Sequence, residues 1–180
     1  MTDFKTLLAG AKLPERTVPI CLRGDLTAEF EELEQQLDDA LRVPASSLEG
    51  DGSAAIAERI EALRAQMQAH TYRFRLRAMP HPAWRAFCAE HPPREDDEGK
   101  VDERDRLIGV NTETFYEALV RRSVVDPQLD DAEWQTLLGG ALTDRQFTEL
   151  AETAWALNRR EVDIPFSPAA SRMTRGSGSE

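Results

Sequence analysis

Thr71-Tyr72-Arg73-Phe74-Arg75-Leu76-Arg77-Ala78 (TYRFRLRA, 71–78) orders the rest of the chain around it. Tyr72, Phe74 and Leu76 alternate with Arg73, Arg75 and Arg77, the period-two pattern of a strand with one apolar face and one face in water. A shorter alternation, Val18, Ile20 and Leu22, runs through TVPICLR (17–23). Pro19 has no N–H to give to a ladder, so this second run is an edge strand or one partner of a two-stranded sheet. Between the two lie a pair of amphipathic helices. Leu26, Phe30, Leu33, Leu37 and Leu41 recur at steps of three and four across 26–42, with Glu29, Glu31, Glu32, Glu34, Asp38 and Asp39 on the other faces. Ile56, Ile60, Leu63 and Met67 form the stripe of the second helix, 54–70, with Ser53 as its expected N-cap. The breaker-rich stretch VPASSLEGDGS (43–53) joins them. Such a helical hairpin returns the chain to its start, which predicts an antiparallel β-α-α-β unit. Two strands alone are not stable, so helices must cover the apolar side.

The remaining elements read as helix. Phe4, Leu7 and Leu8 mark a short helix within 2–12, ended by Pro14. His81 is the expected cap of a helix through Glu90, with Pro82 in its first turn and Trp84, Phe87 and Cys88 on its apolar side. PPREDDEGKVDERDR (92–106) holds eleven charged residues and no periodicity, the pattern of a solvated, mobile loop. Asn111 caps a helix with Phe115, Leu119 and Val120 inward. Asp130 and Glu133 form a capping-box pattern before Trp134, Leu137 and Leu138, and Thr143 with Gln146 opens a helix bearing Phe147, Leu150, Ala151, Ala154 and Leu157. The fold class expected is α+β, mainly α: a two-stranded antiparallel sheet with an inserted helical hairpin, followed by a C-terminal helical bundle. The expected organisation is 1–79 for the first helix, strands and hairpin, 80–158 for a helical body packed on the sheet, and 159–180 for a disordered tail.

Charge narrows the function classes. The 180 residues carry 22 Lys+Arg against 33 Asp+Glu, a net charge of −11, with an isoelectric point near 4.8 and a mean hydropathy of −0.51. Phosphate backbones and anionic lipids repel such a chain unless a local basic patch prevails. No apolar run approaches a membrane span or a secretory leader. Two cysteines, Cys21 and Cys88, give no disulfide framework and suit a reducing cytoplasm.

Motifs for catalysis or cofactors are not found. His81, Cys88 and His91, with Cys21, lack the close ligand pairs of a zinc site, so a cap, a core thiol and a helix-end histidine explain them better. There is no nucleophile elbow and no glycine-rich phosphate loop. The expectation is therefore no enzyme, no cofactor and no metal. Arg73, Arg75 and Arg77 form the one basic row. It is assigned to the acids of the 26–42 helix or to an acidic protein partner in preference to nucleic acid, because Tyr72 and Phe74 lie on the opposite face and are not interleaved for base stacking.

Three stretches then carry a resemblance. FRLRAMPHPAWRAFCAEHPP (74–93), GVNTETFYEALVRRSVVDPQLDDAEWQTLL (109–138) and LTDRQFTELAETAWALNRR (142–160) resemble the tail assembly chaperones of siphophages and prophages, through Trp84, Asn111, Phe115, Leu119, Asp126, Pro127, Trp134, Leu142, Gln146, Leu150 and Asn158. The likeness spans roughly 15–160. It implies a protein of the host bacterial cytoplasm, left out of the mature virion, that binds the tape measure protein and the major tail tube protein during assembly. In that family a ribosomal frameshift often yields a longer minor product, for which 159–180 is a place of extension. The alternative is a generic cytoplasmic adaptor working through its helical hairpin. In either case the expected partner surface is the hairpin stripe Phe30, Leu33, Leu37, Ile60, Leu63 and Met67, with Arg73, Arg75 and Arg77 beside it. Self-association through that face is also expected.

Overall fold

The alternation at 71–78 becomes β2 (Thr71–Arg77), the central strand of a small sheet. The computed structural model describes residues 3–42 and 52–159; the expected tail and most of the breaker cluster lie outside the described residues. β1 (Glu15–Cys21) pairs antiparallel with β2, Val18 opposite Phe74 and Ile20 opposite Tyr72. Pro19 stands on this outer strand, where a missing N–H costs no ladder bond. Leu22, read as the third inward residue of this run, falls beyond the strand and is 40% exposed.

The sheet has three strands where two were expected. β3 (Val124–Asp126) pairs with the other edge of β2, Leu76 opposite Val124 and Arg75 opposite Asp126, with a register irregularity between them. Three residues are too few to show a period, and this strand forms because the helix before it delivers the chain to the open side of β2.

Val18, Ile20, Phe74 and Leu76 bury one face of the sheet. The helices α4 (His81–Ala89), α6 (Thr112–Ser123), α7 (Asp131–Thr136) and α8 (Asp144–Arg159) share that core, with Phe115, Leu119, Val120, Leu150 and Ala154 at 0% exposure. Phe115 is its centre, with Phe87, Trp84 and Trp155 rings at 5.1, 5.9 and 5.7 Å. α8 is held to the sheet at both ends by amide side chains. Gln146 Nε2 donates to the carbonyl of Cys21 at 2.9 Å, and Met79 N donates to Asn158 Oδ1 at 2.8 Å. The expected caps are present: Asn111 accepts from Glu113 N, Asp130 and Glu133 form a capping box, and Thr143 and Gln146 bond reciprocally. α4 differs slightly, since Pro80 occupies the cap position and His81 is already helical.

α2 (Gly24–Arg42) and α3 (Ser53–Ala69) form the hairpin. Ser53, expected as the cap of α3, is its first residue, and Gly52 stands before it at φ 76°, a conformation that glycine adopts without strain. The hairpin has its own core of Leu26, Leu33, Ile60 and Leu63, with Phe30, Leu37, Ile56 and Met67 half-buried around it. Leu22 N donates to His70 O at 3.1 Å where the hairpin joins the sheet. α1 (Phe4–Ala9) buries none of its residues.

The largest departure from expectation is 92–106. Residues 95–100 are exposed and outside any helix, as expected of a solvated loop, but Glu95 bridges Val101, and α5 (Glu103–Ile108) follows, ending at Gly109 with φ 86°. Asp105 lies at 0% exposure near the end of this charged run. Its carboxylate accepts from Arg94 N, Nε and Nη2 at 2.9, 2.8 and 3.0 Å, and from Thr112 N and Oγ1 at 3.0 and 2.7 Å. A buried carboxylate with every lone pair engaged is tolerated, and here it ties the chain before the turn to the start of α6. Composition alone misleads because one buried pair, Arg94 with Asp105, outweighs the solvated charges around it.

Candidate functional site

Three surfaces remain for a partner. The first is the hairpin arm. Of the six apolar residues expected to bind, Leu33, Ile60 and Leu63 are 3–5% exposed and spent on each other. Phe30, Leu37 and Met67 are half-buried along the helix–helix seam. Leu41, further along α2, is 64% exposed. Acids border this seam, and one of them, Glu29, is tied across the hairpin to Arg59 at 3.2 Å. What the arm presents is therefore a narrow apolar line between an acidic α2 and an α3 that carries Glu58 and Glu61 against Arg59 and Arg64.

The second surface is the outer face of the sheet. The alternation places Arg73, Arg75 and Arg77 there together, as the sequence suggests. Their partner is not α2, however. Glu15, at the start of β1, accepts from Arg77 Nε at 2.5 Å and from Arg75 Nη1 at 3.2 Å. The reason is register: Glu15 stands opposite Arg77, two residues from the partner of Arg75. The Arg77 hydrogen bond, assisted by that of Arg75, holds the Glu15 carboxyl below the usual range. Asp126 on β3 stands opposite Arg75 from the other side. Among the described residues only Arg73 of this row lacks an acidic partner, and the other two arginines share the single carboxylate of Glu15, so the row stays positive. On the opposite face Tyr72 reaches Asp126 with its hydroxyl at 3.3 Å, and burial, with the Asp126 carboxylate beside it, raises its pKa.

The third surface was not read from the sequence. A groove of about 640 Å³ runs between α6 and α8. Tyr116, Phe147 and Trp155 form its floor, and Glu113, Glu117 and Glu152 stand on its rim, with no Lys or Arg among the lining residues. Arg94 holds Glu113 from outside the groove, and Arg121 holds Glu117 at 2.8 Å. Arg159 covers the Trp155 ring at 5.1 Å. Burial raises the Tyr116 hydroxyl pKa, so it stays a neutral hydrogen-bonding group. The signal was the doubling of apolar residues at Phe115–Tyr116 and Ala154–Trp155. Each pair makes the apolar stripe wider than the sheet can cover, so its second member is left facing out.

The cysteine and histidine candidates scatter into structural roles. The His91 ring packs against Phe87 and Phe115 and its Nδ1 meets Thr114 Oγ1 at 3.0 Å. Cys88 is half-buried, and burial raises its thiol pKa, which suppresses the reactive thiolate. Among the described residues no group of three His, Cys, Asp or Glu is placed to hold a metal ion. No helix among them is long and apolar enough to cross a membrane. Comparison with protein-family models, with curated proteins and with solved structures found no match.

Proposed function

We propose that the chain is a protein-binding assembly factor of the tail assembly chaperone kind, acting in the bacterial cytoplasm on a tape measure protein and on tail tube subunits. The observation that carries this reading is the hairpin arm. Its core of four buried residues is separate from that of the body, and it leaves Phe30, Leu37 and Met67 at the seam beside the acid-rich α2. A long helical client with a repeating apolar stripe can lie along such a line, while the acids keep the complex soluble. Asn111, Gln146 and Asn158, three of the residues that carry the resemblance, cap or anchor helices of the body, so they support a likeness of fold more than of a client surface.

Co-expression tests this directly. A tape measure fragment that is insoluble alone should be recovered in soluble complex with the unmodified chain. Changing Phe30 and Leu37 to Glu should abolish that recovery while the body stays folded. A soluble complex that survives both changes would move the client surface away from the arm. The alternative, a general adaptor using the same arm, is favoured if the arm binds partners but no tape measure fragment. A gene position between a major tail protein gene and a very long tape measure gene would favour the first reading.

A further inference from the structure

We propose that two copies of this chain pair by exchanging their N-terminal helices, each copy laying Phe4, Leu7 and Leu8 of α1 into the α6/α8 groove of the other. This does not depend on the client or on the arm.

On the donor side, α1 is an apolar ridge with nowhere to rest on its own chain. Phe4, Leu7 and Leu8 lie at i, i+3 and i+4, on one face, and are 72%, 59% and 61% exposed. None of the six residues of α1 is buried. A helix this short does not hold in water by propensity, so it needs a surface to pack on. Lys5 flanks the ridge beside Phe4 and Leu8, and Lys12 follows shortly after. These are two of only three lysines in a chain of net charge −11, so the segment is locally basic.

On the receiving side, the α6/α8 groove offers the complement: an aromatic floor of Tyr116, Phe147 and Trp155, and a rim of three glutamates, of which Glu113 and Glu117 are held by Arg94 and Arg121 and Glu152 is left for a cation. Glu152 makes no ion pair among the described residues and is the natural seat for Lys5. Another apolar groove, about 540 Å³ between Tyr72, Leu129 and Leu137, lacks such an unpaired acid. Its two acids, Asp130 and Glu133, are already turned onto each other's backbone in the capping box. Charge therefore selects the α6/α8 groove. A reciprocal pair covers both ridges and both grooves and closes on itself, whereas a head-to-tail contact leaves one of each open at every end.

Sedimentation equilibrium on the full chain tests the exchange. The unmodified protein should give the mass of two chains. Leu7→Asp with Leu8→Asp should raise the dissociation constant by ~100-fold or more. Its circular dichroism and melting temperature should not change at a concentration where both proteins are monomeric, since α1 contributes nothing to the core. Lys5→Glu and Glu152→Lys should each weaken the dimer by ~2–5-fold and together recover it. A monomeric unmodified chain overturns the proposal, and so does a dimer that persists in the Leu7/Leu8 variant. It is also overturned if the two charge changes fail to compensate, or if Leu37→Glu on the arm dissociates the dimer while the α1 variant does not.

Discussion

The hairpin arm and the 91–112 segment reach order by opposite means. The arm is two long helices with a small apolar core of Leu26, Leu33, Ile60 and Leu63 and no buried charge. The 91–112 segment buries little apolar surface, chiefly Val110 with Ile108 beside it, and is organised around one carboxylate, Asp105, gripped by Arg94 and Thr112. The arm's order is spread over many weak, non-directional contacts, so it degrades gradually. The segment's order is concentrated in a few directional bonds in a dry site, so a single change removes it. Two regions of one acidic chain thus differ in how they fail.

The largest effect expected is from Asp105→Ala. It leaves Arg94 Nε and the Thr112 N–H without their acceptor, with only Glu113 and Asp102 left to Arg94, and should lower the melting temperature by roughly 10 °C, as loss of one member of a buried pair does. Amides of 94–112 should lose protection with it. Retention of that protection would show that the bridge of Glu95 with Val101 and the caps suffice to order the segment.

Leu33→Ala in the arm should cost ~2–4 kcal/mol, the usual loss for a buried leucine. Because the arm's core shares no buried residue with the body's, amide exchange should accelerate across 24–42 and 53–69 and stay unchanged in α6 and α8. Equal acceleration in the body would mean that the two cores melt as one.

Acid separates the two regions without mutation. The side-chain bonds from Arg94, against the cost of burial, hold the Asp105 carboxyl far below the ordinary carboxylate range. Its folded pKa lies below its unfolded one, so its stabilisation is present above pH ~4 and is lost as pH falls through that value toward the folded pKa. The unmodified chain and an Asp105→Asn variant should therefore converge in stability as the solution is acidified. A gap that stays constant between pH 7 and pH 3 would contradict this assignment. The arm variant Leu33→Ala should show that constant gap.

The smallest change expected is Glu15→Gln. It removes the acceptor charge of Arg75 and Arg77 on the open sheet face, where pairs are solvated, and should move the melting temperature by no more than ~2 °C. Any larger loss would mean that the ladder, like Asp105, is shielded from water.

Periodic apolar residues were legible because burial leaves a period in the sequence. β2, both hairpin helices and the inward faces of α6 and α8 follow from spacing, and the caps at Asn111, Asp130–Glu133 and Thr143–Gln146 follow from local hydrogen-bond chemistry within three residues. The candidate surfaces were half legible. The arm stripe and the arginine row could be placed, but how much of the stripe remains exposed could not, nor that Glu15 ties together two of the three arginines.

The sequence by itself determined the helical hairpin between two antiparallel strands, the edge position of the Pro19 strand and the acidic, helix-rich character of the whole. Those features depend on periods and on neighbours within a turn or a strand. Only the tertiary structure decided the third strand, the Arg94–Asp105 lock, the fastening of α8 by Gln146 and Asn158, and the acidic aromatic groove. Each of these joins groups 11 to 125 residues apart, or arises where two helices fail to cover each other. A single hydrogen bond or a gap between packed faces leaves no period in the chain, so it exists only once the elements have met.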